Sequence, residues 1–235
     1  MAASNLLWTG GWDSTFRLLQ IIFIEKKTVQ PIYILDKNRK SLNKELETIE
    51  NISNKIQSLD QEAYSRILPV RYINKDSNIC EEIKNSSLII KALTKMGSQH
   101  EWISQYCHTH NLKNIEMSIE KNENPQSFTQ FLVKNYININ PVNPTNKELY
   151  NNLNTVFKYY SFPLIDISKK EMIMVIKKNV HWEEIMNLTW FCHKPKKNKA
   201  CGQCVPCITV IKKGLGFRIP KINRIKGRFK ILLNK

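Results

Sequence analysis

The sequence predicts an α/β protein with a mostly parallel sheet, helices on both faces of that sheet, and a small C-terminal metal-binding element. Three observations carry this prediction. Short apolar runs alternate with helical patterns along the chain, a glycine turn separates the first run from the first helix, and four of the six cysteines lie between positions 192 and 207. Alternating strands and helices favour a Rossmann-like sheet, which binds ligands at the carboxyl ends of its strands.

The elements follow from the hydrophobic pattern. The first strand covers residues 5–9, and Gly10 and Gly11 stop it before a helix over residues 14–25. The Asn-rich segment 121–160 has no clear pattern, and we expect helices and loops that cover a site. Further strands are predicted at 30–36, 70–73, 114–119 and 162–167, and further helices at 41–58, 79–95, 98–111, 168–178 and 205–213.

Length and composition narrow the class of protein. The chain has 235 residues, of which 42% are hydrophobic and 24% charged, which disfavours wholesale disorder and collagen-like repeats. We expect one domain with a small appendage, divided into residues 1–187 and 188–235. The densest apolar stretch, residues 16–24, contains Arg17 and Gln20, so no membrane span or membrane partner is expected. Without a basic segment before the first apolar residues, the sequence predicts a cytoplasmic protein.

The net charge of +16 has two interpretations. One is a solvated basic surface, with the excess spread along an Asn- and Ile-rich chain. The other is an anionic partner, either a nucleic acid or an acidic protein face, bound by the clusters at residues 194–199 and 212–235.

The turn after the first strand reads W-T-G-G-W-D-S-T, from Trp8 to Thr15. Glycines let backbone N–H groups approach phosphate oxygens, and a helix N-terminus and two hydroxyls add further donors. The turn lacks the lysine of a Walker A loop and the third glycine of a dinucleotide fingerprint. It predicts a phosphate site of another kind, and the alternative is a plain connection capped by Ser or Asp.

This turn resembles the S-G-G-x-D-S motif of the PP-loop family, the ATP pyrophosphatases that cleave ATP between the α and β phosphates. A threonine stands where the family usually has its first serine, so a hydroxyl is kept. The resemblance implies that Asp13 serves the Mg²⁺-nucleotide environment. It further assigns to the ATP phosphates Thr9, Gly10, Gly11, Asp13, Ser14 and Thr15.

The cysteines have the spacing C-x8-C-G-x-C-x2-C, which suits a tetrahedral thiolate site. We expect a structural Zn²⁺, with an iron–sulfur cluster as the alternative, and His193 as an alternative ligand to its neighbour. Cys80 and Cys107 are expected to be core residues. The predicted metal ligands are Cys192, Cys201, Cys204 and Cys207.

The glycine turn together with this C-terminal pattern resembles the 7-cyano-7-deazaguanine synthase (QueC) family over nearly the whole chain. Residues 162–169 are similar to that family's P-L-x-x-L-S-K segment, which implies that Lys169 lies near the ATP phosphates; the alternative is a lysine on a solvated, capped helix. The resemblance implies a ligase that uses ATP to adenylate 7-carboxy-7-deazaguanine, after which ammonia converts it through an amide to the nitrile.

The chain departs from that family in one segment. Its usual Arg- and Asn-rich stretch is absent, and G-S-Q-H-E-W at residues 97–102 stands near its place. This segment and the glycine turn resemble divergent members of the family in bacterial antiphage defence operons, including CBASS-like systems. The nitrogen acceptor is therefore either ammonia or an amine of a partner protein.

Four further residues, outside the glycine turn and the cysteine cluster, are candidates for binding the nucleotide or the base. Asp36 and Arg39 follow the second strand, where they would meet the nucleotide, and Gln99 and Trp102 lie one helical turn apart, where they would face a flat base. The alternatives are a turn cap, a solvated cation and ordinary packing. Two other functions stay open, a tRNA-modifying PP-loop enzyme such as a thiolase and a non-enzymatic binding module, and a homodimer is a candidate assembly.

Overall fold

The computed structural model of the chain describes residues 3–75, 78–212 and 214–233. Five strands form one parallel sheet in the order β3-β2-β1-β4-β5, which confirms the predicted α/β class with a parallel sheet flanked by helices. The strands are β1 (Ser4–Leu7), β2 (Val29–Leu35), β3 (Arg71–Asn74), β4 (Ile115–Glu116) and β5 (Tyr160–Ser161).

Eleven α-helices are present in the described ranges. Two of them continue into π-helical turns, Gln20–Ile24 and Val133–Ile137, and a 3₁₀ turn covers Gly216–Arg218. The helices are α1 (Trp12–Leu19), α2 (Leu42–Leu59), α3 (Gln61–Ser65), α4 (Glu81–Leu93), α5 (Gln99–Thr109), α6 (Phe128–Leu132), α7 (Lys147–Phe157), α8 (Lys169–Lys178), α9 (Trp182–Leu188), α10 (Val205–Lys212) and α11 (Lys221–Leu233).

The strands separate two hydrophobic cores. In β1 and just beyond it, Leu6 and Trp8 point to a core shared with α1, α2, α8 and α9, whereas Leu7 contacts the opposite core with α4, α5 and α7. Because successive side chains of a strand point to opposite faces, this short apolar run serves both layers. None of the helices in the described ranges is long and apolar enough to span a membrane.

The predicted strand over residues 162–167 is wrong. The strand ends at Ser161, and the following residues form turns in which Ile165 donates its backbone N–H to the Phe162 carbonyl at 3.1 Å and Ile167 to Leu164 at 3.0 Å. Pro163 explains the difference, because proline has no N–H to donate to a sheet. Leu164 is still fully buried, so the apolar pattern reflected core packing rather than a strand.

Other boundaries move as well. The predicted strand over 114–119 shortens to β4, and the unassigned region 121–160 contains α6 and α7. The basic tail forms α11, which the sequence did not predict. The predicted end of α10 at Lys213, and the last two residues of the tail, lie outside the described residues.

The C-terminal element has a small core of its own, and the predicted boundary between residues 187 and 188 falls at the end of α9. Gly202 has a φ of +77°, and a Cβ there would lie 2.0 Å from the Asn223 carbonyl oxygen. A Cβ on Gly227 would lie 2.3 Å from the Gly202 oxygen. The cysteine loop and α11 therefore meet backbone to backbone, which only glycine permits.

Candidate functional site

The glycine turn lies where the chain leaves β1 at the carboxyl edge of the sheet. Gly10 has a φ of +68°, and a Cβ there would lie 2.8 Å from Thr48 Cγ2 on α2, so both conformation and space require glycine. The turn closes on itself, because the Thr9 N–H donates to Ser14 Oγ at 3.4 Å and that hydroxyl donates to the Gly11 carbonyl at 3.3 Å.

Thr15 belongs to the core rather than to the surface of the turn. It is fully buried, and its Oγ1 accepts a hydrogen bond from the Trp8 indole N–H at 3.1 Å. The hydroxyl predicted to meet phosphate is thus engaged inside the protein. Ser14 is the hydroxyl of this helix turn that borders a cavity.

Lys169 is the first residue of α8, which begins with the predicted capping box. The Glu171 N–H donates to Ser168 Oγ at 3.3 Å, and the Ser168 N–H donates to the Glu171 carboxylate at 2.7 Å. The capped helix directs the lysine to two acids, since its Nζ forms an ion pair with Asp13 and lies 3.1 Å from Glu120 Oε2. Lys169 therefore lies beside the glycine turn on a capped helix, with its ammonium held by two carboxylates.

A cavity of about 940 Å³ opens beside the turn. Its volume is at the upper end of the range for small-molecule sites. Lys169, Asp13 and Glu120 form a charged patch on its wall, and Trp190 and Phe191 stack with ring centroids 6.0 Å apart. The wall therefore offers both charge for an anion and flat surfaces for a ring.

Arg218 closes this cavity from the C-terminal element. Its guanidinium lies 5.8 Å from the Trp12 ring centroid and 5.1 Å from that of Phe191, and it donates to Thr189 Oγ1 at 3.0 Å and to the Thr189 carbonyl. Burial lowers the pKa of Arg218 from its ordinary value. It offers an anion a cation fixed by aromatic faces and a backbone carbonyl.

A second cavity of about 390 Å³ lies on the other side of the turn, between the ends of β1, β2 and β4 and the start of α5. Its walls are mainly apolar, but three buried polar atoms in them have no hydrogen-bond partner: Trp12 Nε1, His100 Nδ1 and Ser118 Oγ. Such atoms are costly unless a ligand or water satisfies them. The pocket is suited to a planar ring with polar edges.

His100 stays neutral in this pocket. It is 4% exposed, its ring lies 5.3 Å from that of Phe128 and 5.4 Å from that of Phe157, and burial, assisted by the charge of Lys91, lowers its pKa to about 4. A neutral imidazole has one nitrogen that donates and one that accepts.

The structure brings most of the predicted residues together. Thr9, Gly11, Asp13 and Arg39 line both cavities. Gly10, Thr15 and Asp36 line neither, and Asp36 is paired with Lys75 at 3.2 Å. The smaller cavity is also lined by Ser14, Gln99 and Trp102, and the larger by Lys169.

Among the cavity residues that sequence reasoning missed are four polar ones, Ser118, Glu120, His100 and Arg218. Glu120 and Ser118 follow β4 at the carboxyl edge, a position that could have identified them, and His100 lies inside the G-S-Q-H-E-W segment. No sequence signal identifies Arg218, because it reaches the cavity only through the packing of the C-terminal element.

The four predicted cysteines form one cluster, with all four Sγ atoms within 4.8 Å of one another. Two pairs, Cys201 with Cys207 and Cys192 with Cys204, are 3.9 Å apart. Zn–S bonds of about 2.3 Å in a tetrahedron place sulfurs about 3.8 Å apart, so the cluster fits a metal such as zinc. It is the only group of three or more potential ligands in the described ranges.

Backbone N–H groups face the sulfurs. Cys201 donates to Cys192 Sγ at 3.2 Å, and Gln203 and Cys204 donate to Cys201 Sγ at 3.4 Å. A hydrogen bond from Cys207 lowers the pKa of Cys192 to about 5, whereas burial raises that of Cys204 and the bond to Cys192 raises that of Cys207. Four thiolates can coexist here only around a cation.

The cysteine element is joined directly to the glycine turn. The Trp190 N–H donates to the Gly10 carbonyl at 2.9 Å, and the Trp190 indole donates to the Cys192 carbonyl at 2.8 Å. Lys44 of α2 lies 5.6 Å from the Trp190 ring centroid. One tryptophan thus links the glycine turn to the first cysteine of the cluster.

No protein-family model and no curated protein matches this chain. Its functional assignment rests on its own residues: a glycine turn between two cavities, a lysine held by two acids, and a four-cysteine cluster that could hold a metal such as zinc.

Proposed function

We propose that the protein is a QueC-like ATP-dependent ligase that adenylates 7-carboxy-7-deazaguanine and transfers the acyl group to a nitrogen nucleophile, releasing AMP and pyrophosphate. One observation carries the proposal. The glycine turn lies at the junction of two cavities, with Lys169 held between Asp13 and Glu120 beside it.

The sheet supports a Rossmann-like fold of the PP-loop type. In the order β3-β2-β1-β4-β5, the chain moves outward from β1 in one direction and from β4 in the other. Parallel sheets of this kind bind ligands in the crevice beyond the carboxyl ends at such a switch point. The glycine turn stands at that crevice, because it follows β1.

Two cavities that meet at a phosphate turn suit a reaction with two bound reactants. We assign the smaller cavity to the adenine base, because its apolar walls and the orphaned atoms of Trp12, His100 and Ser118 suit a planar ring. The larger cavity takes the triphosphate and the deazaguanine acid, since Lys169 and Arg218 line that cavity. The carboxylate then approaches the α-phosphate above Gly11, which borders both spaces.

The charged residues would act by positioning and electrostatics. Bound phosphate would draw Lys169 from Asp13, and Asp13 and Glu120 supply the carboxylate oxygens that Mg²⁺ prefers. The ion would neutralise phosphate charge when bound. Lys169, Arg218 and the N–H groups at the start of α1 would hold the pyrophosphate as it departs. Zinc would be structural, because four cysteines leave no open position.

The test is the product analysis of a complete reaction. The protein is incubated with ATP, Mg²⁺, ammonium and 7-carboxy-7-deazaguanine, and nucleotides and deazaguanines are separated by chromatography and identified by mass. We expect AMP and pyrophosphate with the amide, and then the nitrile with consumption of a second ATP, because the amide oxygen must be activated by ATP to leave with AMP. Asp13→Ala and Ser14→Ala should abolish turnover, whereas Ser58→Ala, on the exposed end of α2, should not. ADP as the nucleotide product, or full activity of both turn variants, would reject the proposal.

A second acceptor is favoured by the position of the divergent segment. Gln99, His100 and Trp102 of G-S-Q-H-E-W border the smaller cavity, so the part that departs from the family is part of the candidate site. In this version the acyl group passes to an amine of a partner protein. Mass spectrometry would then find a deazaguanine amide on that protein and no nitrile; efficient nitrile formation without an adduct would eliminate it.

The thiolase alternative has no cysteine at the site in the described ranges apart from the cluster. Cys80 and Cys107 line neither cavity, and burial raises the pKa of Cys107 to about 12. A thiol kept protonated is a poor nucleophile. The geometry therefore favours acyl transfer over sulfur transfer.

A further inference from the structure

Helix α11 has one face fixed to the protein. Gly227 packs on the cysteine loop, and the Asn223 side chain donates to the Ala200 carbonyl at 2.8 Å. At about 100° per residue, these positions define the inner side of the helix. The opposite side faces solvent.

That outer side is apolar. Five large apolar side chains fall within an arc of about 100° opposite Gly227. Ile222, Ile225, Phe229 and Leu232 have i, i+3, i+7 and i+10 spacing, and Leu233 lies beside them. Isolated exposed apolar residues are ordinary, but a continuous stripe on one helix indicates a binding surface. The stripe consists of Ile222 (70% exposed), Ile225 (43%), Phe229 (62%), Leu232 (64%) and Leu233 (86%).

Basic residues border the stripe on both edges. Lys221 and Arg228 lie along one edge, and Lys226 and Lys230 along the other, with the Lys230 ammonium donating to the Gln203 carbonyl at 3.1 Å. Long basic side chains beside an apolar stripe can place their charges at a polar boundary while their stems cover apolar surface.

The charge of the chain is concentrated in this element, so the expectation that it is spread along the chain is wrong. Residues 185–235 contain 13 Lys or Arg and no Asp or Glu, whereas residues 1–184 contain 23 basic and 20 acidic residues. A segment with many basic and no acidic residues attracts an anionic surface over a distance of about a Debye length.

We propose that α11 docks the protein on an anionic lipid surface, with the apolar stripe entering the headgroup boundary and the flanking lysines and arginines meeting lipid phosphates. A nucleic acid would use the charge but not the stripe. A second copy would bring like charges together. A lipid interface matches both features at once, because an interfacial helix needs an apolar face bordered by cations and no membrane span. This proposal is independent of the proposed catalytic activity, and it replaces the expectation from the sequence that the protein has no membrane partner.

The test is co-sedimentation of the full chain with vesicles at about 0.1 M salt. We expect binding to vesicles of equal parts phosphatidylcholine and phosphatidylglycerol and none to phosphatidylcholine alone. Replacing Lys226 by Glu should lower the partition coefficient at least about fivefold. Phe229→Ser with Leu232→Ser should lower it at least about tenfold, because two large apolar side chains no longer leave water. The matched control, Leu88→Ser with Leu93→Ser, removes equally exposed apolar side chains from α4 and should bind normally.

A fluorescence reading shows insertion directly. Trp introduced by Phe229→Trp should shift its emission to the blue with anionic vesicles, and Trp introduced by Leu93→Trp should not. No binding to anionic vesicles, equal binding by the stripe variant and its control, or a shift at neither position would overturn the proposal. A dimer in sedimentation equilibrium that the stripe variant dissociates would assign the stripe to self-association, and acid-rich protein as the sole ligand would assign it to a protein partner; either result also overturns it.

Discussion

The buried histidine of the smaller cavity makes the stability of the protein depend on pH in a calculable way. His100 has an ordinary pKa of 6.5 and a folded pKa of about 4, because burial disfavours its charged form. The unfolded chain therefore takes up a proton that the folded chain refuses when the pH falls below 6.5. The free energy of unfolding therefore decreases as the pH falls from 6.5 toward 4, and the decrease is complete near the folded pKa.

The magnitude follows from the two pKa values. At pH 5 the unfolded histidine is about 1.5 units below its pKa, and each unit corresponds to about 1.36 kcal/mol, so lowering the pH from about 7.5 to 5 should cost about 2 kcal/mol from this residue alone. For a chain of this size, that is about 4–8 °C in Tm. Water does not screen this contribution appreciably, since His100 is only 4% exposed.

The assay compares urea unfolding at the two pH values in three proteins. His100→Phe replaces the imidazole between Phe128 and Phe157 with a ring of similar shape. Between about pH 7.5 and 5, its free energy of unfolding should decrease by about 2 kcal/mol less than that of the unsubstituted protein. Ile103→Val, one turn along α5, is the control, because it removes buried apolar volume without a titrating group and should lower stability equally at both pH values. If the original chain and His100→Phe lose the same free energy, the histidine is not held neutral by burial and the reasoning is refuted.

Three other predictions concern the smaller cavity and the cysteine cluster. In the complete reaction, His100→Phe should raise the KM for ATP about three- to tenfold with little change in kcat, the effect of one lost hydrogen bond; an unchanged KM would move adenine out of the smaller cavity. Cys204→Ser should reduce bound zinc from one per chain, by metal analysis, and lower Tm by ~10 °C; full zinc occupancy or an iron–sulfur absorbance would contradict the assignment. Gly202→Ala should destabilise the chain by about 3 kcal/mol or more, because its Cβ meets the Asn223 oxygen, whereas Gly214→Ala, with a φ of +79° and open space, should cost about 1 kcal/mol; equal losses in thermal unfolding would exclude the close approach as the cause.

The sequence predicted those parts of the site that depend on short-range chemistry. The turn is visible in the sequence because Gly10 combines a positive φ with a close approach to Thr48, which requires glycine. The cysteines appear as a cluster because metal ligands of one loop keep a fixed interval. The Ser168–Glu171 capping box was predicted for the same reason, since its two hydrogen bonds span only three residues.

The parts that the sequence did not predict depend on long-range packing. Leu164 has the apolar character of a strand residue, yet Pro163 cannot join a ladder, so the same burial is achieved in a turn. Arg218 reaches the cavity through the 3₁₀ turn before α11, and its partners Trp12 and Phe191 are distant in sequence. The basic tail has a helical period at Ile222, Ile225, Phe229 and Leu232, but only the packing of Gly227 on the cysteine loop shows which side of that helix is exposed.

The glycine turn near the start of the chain and the cysteine loop near its end are joined by two hydrogen bonds of Trp190. The Gly10 carbonyl accepts from Trp190, whose indole in turn donates to the carbonyl of Cys192. A metal that fixes the cysteine loop therefore also fixes the aromatic wall of the larger cavity and, through Gly10, the glycine turn itself. Gly10 accepts this bond in the positive-φ conformation that packs it against Thr48. The cysteine cluster is thus a positioning element for the glycine turn, which gives a physical reason for one chain to combine a four-cysteine cluster with a glycine turn beside a cavity.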